Sequence, residues 1–147
     1  TGMVAGLATI TPASGTVGPA GALLIGFMAG IVCFYATQAV KSYFKIDDSL
    51  DVFPVHGVGG ILGIIMLAIV GNPDGFLGSG ASGISEDGVV AQLVIQLQGV
   101  FIICAYTALI TYVILKVLNM FIEVRVTNEQ EDIGLDMSEH NEQGYSL

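Results

Sequence analysis

The chain has 147 residues, of which 53% are hydrophobic and only 12% charged, with a mean hydropathy of +0.77. That balance excludes an ordinary soluble domain and points to a polytopic membrane protein. The formal net charge is −9, and no basic patch accompanies it, which excludes an electrostatic nucleic-acid partner.

The first segment, 1–13, is apolar but covers only about 20 Å as a helix, short of the ~30 Å hydrocarbon core. It reads as the second half of a helix, and no basic n-region of a signal peptide precedes it; the expectation is a truncated start. Pro12 removes a backbone donor and Gly15 permits a left-handed turn, so the segment ends there. The second segment, 17–44, opens with Pro19, suited to a first helical turn. Its Gly18, Gly21, Gly26 and Gly30 form small-residue positions that let another backbone approach. The third, 48–70, carries His56. A loop rich in Gly, Ser, Pro and acid follows at 72–87. The fourth, 88–122, is long, roughly 50 Å if wholly helical, so it tilts or extends beyond the bilayer. Residues 123–147 form a tail with seven carboxylates against Arg125.

The four basic residues, Lys41, Lys45, Lys116 and Arg125, fall on one side if segments two to four alternate. The positive-inside rule then places the 42–51 connection and the tail in the cytoplasm, and the 72–87 loop outside. Cys33 and Cys104 lie within apolar stretches without zinc-type spacing, and read as small buried hydrophobes. No metal site, cofactor site or enzyme constellation emerges.

His56 is the residue that stands out. An imidazole within a membrane-length apolar segment is costly and is a functional candidate by default. On an α-helix it shares a face with Gly60 and Gly63. Its neutral ring offers one donor and one acceptor. This suits a small polar molecule shedding water, a proton relay, or a buried histidine bonded to a neighbouring carbonyl. Asp47 and Asp48 suit N-capping and the helix dipole. Asp51, nearer His56, is placed to feel a pore or to fix a neighbouring loop. Gln92, Gln96 and Gln98 suit interhelical hydrogen bonds.

The run Asp47-Asp48-Ser49-Leu50-Asp51-Val52-Phe53-Pro54-Val55-His56-Gly57-Val58-Gly59-Gly60-Ile61-Leu62-Gly63 resembles the signature of the ammonium transporter (Amt/Mep/Rh) family. The helix ending Gly6-Leu7-Ala8-Thr9-Ile10-Thr11-Pro12-Ala13-Ser14-Gly15 and the tail segment Glu129-Gln130-Glu131-Asp132-Ile133-Gly134-Leu135-Asp136, with His140 beyond it, resemble two further family motifs in the right order. Pro54 departs from the pattern, where relatives carry Gly or Ala.

The resemblance implies an all-α fold: the C-terminal part of an eleven-helix, inverted-repeat transmembrane bundle. It implies ammonium or ammonia transport, with no cofactor, through a pore containing two histidines. His56 matches the second of them and Val52 a residue of the lower pore. Asp51 and Thr11 would be pore-mouth or structural residues. It further implies a homotrimer in a cell membrane and a PII-type regulatory protein at the cytoplasmic tail. An ammonium sensor signalling through its tail is the competing function. Half of such a pore would lie outside these residues, so the chain alone is expected not to conduct.

Overall fold

The computed structural model describes residues 1–71 and 88–144, and every regular element among them is helical. The 72–87 loop and residues 145–147 lie outside the described residues. Helix α1 is Gly2–Ile10, closed by a 3-10 turn at Thr11–Ala13 that holds Pro12. Gly15 follows with φ +82, the left-handed turn that an L side chain rarely adopts. Helix α2 is Pro19–Gln38 and continues as a π turn through Ala39–Tyr43. Helix α3, Gly59–Met66, is flanked by π turns at Phe53–Val58 and Leu67–Gly71. Helix α4 is Val89–Leu118, and two short helices follow, α5 (Asn128–Ile133) and α6 (Leu135–His140).

Three of the described helical stretches are long and apolar enough to cross a membrane: Pro19–Tyr43, Phe53–Gly71 and Val89–Leu118. At 25, 19 and 30 residues they span about 37, 28 and 45 Å at 1.5 Å per residue. The chain is a helical transmembrane bundle. The second of these, Phe53–Gly71, starts several residues later than the acidic run at 47–51 suggests. The reason is Asp48, whose two carboxylate oxygens accept the Val52 and Phe53 N–H groups at 2.8 Å each. It caps the helix from outside it, satisfying donors that have no partner in a first turn. Pro54 therefore sits in the first turn, where its missing N–H costs no helical bond.

The described residues form two units, 1–103 and 104–147. In the first, α1 packs against α2 and α3. The buried residues of α2 are Gly21, Ile25, Ala29 and Cys33, a seam repeating every fourth position. Gly26 and Gly30 lie beside this seam, and a Cβ at either would meet nothing within 4 Å. The close approach belongs instead to α3. A Cβ at Gly59 would stand 2.8 Å from the Thr9 hydroxyl and 3.3 Å from Cys33 Sγ, and one at Gly63 would collide with the Thr9 carbonyl oxygen. Thr9 of α1, Cys33 of α2 and these two glycines thus mark the crossing of three helices. Lipid offers little hydrophobic drive for helix association, so contact at such small residues carries it. Apolar clusters lie on either side of the crossing, Ala13, Ile25, Met66 and Val70 in one and Ala5, Cys33 and Val55 in the other. Gln92 is the buried polar residue of α4.

The second unit holds the end of α4 and the tail. Arg125 makes a two-pronged pair with Glu131, its Nε 2.9 Å and its Nη2 3.1 Å from the two carboxylate oxygens. Thr127 caps α5 with a reciprocal capping box, its hydroxyl accepting the Gln130 N–H while Gln130 Oε1 accepts the Thr127 N–H. Gln130 Nε2 donates to Glu139 at 2.8 Å, tying α5 to α6. Gly134, between them, has φ +95. Cys104 is exposed in this unit, whereas Cys33 is buried in the first. The expectation of two buried cysteines therefore holds for one, since residues 101–118 of α4 present no face covered by described neighbours.

Candidate functional site: a hollow at His56

The Phe53–Val58 turn follows Asp51 and the Asp48 cap, and it carries His56 one position past the buried residue Val55. A π turn accommodates about one residue more than an α turn. One residue is worth about 100° of rotation, so the turn offsets the faces before and after it. Beyond it, Gly59 and Gly63 are buried and lie against α1. His56 lies to one side of that seam and is exposed, as part of the wall of a hollow of about 320 Å³. The rest of that wall is Val4, Leu7, Ala8 and Thr11 of the first segment.

Three of the five lining residues are apolar. The Thr11 hydroxyl donates to its own helix at Leu7 O, 2.8 Å away, so its oxygen is left as an acceptor. The His56 side chain makes no hydrogen bond or ion pair among the described residues, while its main-chain carbonyl accepts the Gly59 N–H. The lining thus combines an imidazole, which in its neutral form has one donor and one acceptor, with a hydroxyl oxygen on an apolar background. It suits a small molecule able both to give and to take a hydrogen bond. Gly60 is half-buried, and a Cβ there would meet nothing within 4 Å. Of the two glycines expected beside His56, Gly63 packs on α1 and Gly60 faces open space.

Sequence reading singled out four residues, and the structure brings two of them, His56 and Thr11, to one hollow. Val52 is 53% exposed at the helix start and does not line it. Asp51 lines a second hollow of about 240 Å³, with Thr1, Cys33, Thr37 and Gln38 among its neighbours. Asp51 is buried, 8% exposed. Its carboxylate pairs with Lys41 Nζ at 2.6 Å and accepts the Thr1 hydroxyl at 2.9 Å. The Lys41 ammonium foremost, then the Thr1 hydroxyl, hold its carboxyl below the usual carboxylate range. Sequence reading used Lys41 only to orient the chain. The signal for its second role was the short 44–50 connection, which returns the chain beside the end of α2.

A model of the Ammonium Transporter Family matches residues 1–145. The chain belongs to the ammonium transporter family. It is 40% identical to the ammonium transporter Amt1 of Archaeoglobus fulgidus, over 99% of this chain and 36% of that protein. It is also 40% identical to an ammonium transporter of Aquifex aeolicus, over 99% of this chain and 33% of that protein. Among solved structures, a sensor Amt protein superposes with a TM-score of 0.78 at 31% identity, covering 94% of this chain and 33% of that one. The chain spans about a third of the length of these relatives.

Proposed function

We propose that this chain forms part of a passage that carries ammonium or ammonia across a membrane, and that His56 lines that passage. The observation that supports the reading is the hollow in which His56 and Thr11 meet on an apolar wall, in a chain of this family. Ammonium gives up a proton to the water at the entrance before the neutral ammonia enters an apolar passage, because a bare cation in low dielectric is far costlier than a neutral amine. Ammonia then donates to and accepts from the imidazole as it sheds water. A second histidine, from a helix outside these residues, completes the pair with His56. Val52 lines the passage further toward the cytoplasm. By the positive-inside rule, the four basic residues support a cytoplasmic 42–51 connection and a cytoplasmic 123–147 tail. The assembly is a trimer in the cell membrane, and the tail is the docking place for a PII-type regulator.

The experiment is uptake of labelled methylammonium by cells expressing the full-length protein, wild type against His56→Ala at equal membrane abundance. Altered uptake supports the reading, and wild-type uptake overturns it. The likeness to a sensor Amt protein supports a second reading, in which ammonium occupancy is signalled through the tail. A tail deletion that leaves uptake intact but removes an ammonium-dependent response of the cell would select that reading.

A further inference from the structure

Asp51 has a feature that capping does not explain. The first free donors of the His56 turn are already satisfied, because Asp48 takes the Val52 and Phe53 N–H groups and the Asp51 main-chain carbonyl takes the Val55 N–H at 3.0 Å. The Asp51 side chain is left to bind elsewhere. It reaches two other helices at once, Lys41 at the end of the second segment and Thr1 at the start of the first. Its backbone has φ +57, a conformation more open to Asp and Asn than to most residues. The carboxylate is thus anchored at the residue from which the Phe53–Val58 turn departs, and the elements it grips are the two that α3 crosses.

We propose that Asp51, held by Lys41 and Thr1, is a positioning residue that sets the rotation of the Phe53–Val58 turn and so the aim of the His56 ring into its hollow. The π turn is the adjustable part. If its entry is released, it can relax to an α turn, and a one-residue change of register is worth about 100°. His56 would then swing along the α1 wall and leave the hollow whose lining it shares with Thr11. The inference rests on the proposed role of His56 in the passage. It concerns selectivity: a misaimed ring discriminates less well between ammonium and its methylated analogue.

The test uses the full-length protein in proteoliposomes, and the readout is the ratio of ammonium to methylammonium flux. That ratio does not depend on how much protein is folded. Asp51→Asn keeps the left-handed conformation and an acceptor for Thr1 but loses the charge. Lys41→Met removes the partner charge, and Lys41→Arg keeps it. The expected result is a shift of the ratio by about threefold or more in Asp51→Asn and in Lys41→Met. The Lys41→Met/Asp51→Asn double variant should go no further than either single change, as for residues acting through one contact, and Lys41→Arg should keep the wild-type ratio. The double variant leaves no buried charge unpaired, so it serves where a single variant fails to assemble. A wild-type ratio in a folded double variant, with His56→Ala shifted, overturns the inference and leaves the passage reading standing. Shifts that simply add in the double variant overturn it as well. An unchanged ratio in His56→Ala overturns the passage reading and this inference with it.

Discussion

Gly63→Ala is the substitution that strains the helix crossing most. The added methyl would point into the Thr9 carbonyl oxygen, with the Thr9 carbonyl carbon at 3.0 Å and Pro12 Cδ at 3.2 Å. None of these atoms can swing aside, since two are backbone and the third belongs to a proline ring. The helices must therefore part by on the order of 1 Å, and a gap of that size forfeits about a quarter to a half of the dispersion attraction across it. Overpacking of this kind costs about 1–3 kcal/mol. Gly59→Ala is milder, because the Thr9 hydroxyl and Cys33 Sγ are side-chain atoms with some freedom. Gly60→Ala meets nothing and serves as the control. The assay is thermal unfolding of the purified full-length protein in detergent. The expected order of destabilisation is Gly63→Ala, then Gly59→Ala, with Gly60→Ala close to wild type. A wild-type melting temperature for Gly63→Ala would refute the proposed close approach of α1 and α3.

The other expectations are more local. The depressed Asp51 carboxyl stabilises the fold fully above its unfolded value of about 3.9, and that contribution is lost as pH falls through the lower folded value. The gap in melting temperature between wild type and Asp51→Asn should thus be constant from neutral pH to about pH 5 and narrow below about pH 4; a gap that widens on acidification contradicts the pairing with Lys41. In the tail, Thr127→Ala removes the capping box and should cost α5 about 1 kcal/mol, read as faster hydrogen exchange across 128–133. Gly134→Ala places a side chain at φ +95 and should loosen α5 from α6 at a cost of about 1–3 kcal/mol. Unchanged exchange in both tail variants would mean that this contact does not persist in solution.

Much of this arrangement is legible in the residues themselves. Pro12 and Gly15 mark the end of the first segment, Asp48 announces a cap, and His56 declares itself by the cost of an imidazole in apolar surroundings. The faces of the helices are less legible. Helix α2 is apolar nearly all round, so periodicity does not say which side is buried. The glycine pair Gly26 and Gly30 suggests one side, while the seam runs through Gly21, Ile25, Ala29 and Cys33. The π turns arise from packing between distant segments and leave no local mark. The Lys41–Asp51 pair is hidden for the same reason, as it depends on how the chain returns after residue 44. The Thr127-x-x-Gln130 capping box is different, because its spacing is a recognisable start signal that the acidity of the tail obscures.

The most direct test of the central claim is the ammonium-evoked current or internal pH change in proteoliposomes holding the full-length protein, with wild type and His56→Ala compared against potassium as the competing ion. If His56 lines the passage, the wild type responds to ammonium and not to potassium, and His56→Ala loses the response or admits potassium. An undiminished, ammonium-selective response in His56→Ala would contradict the account.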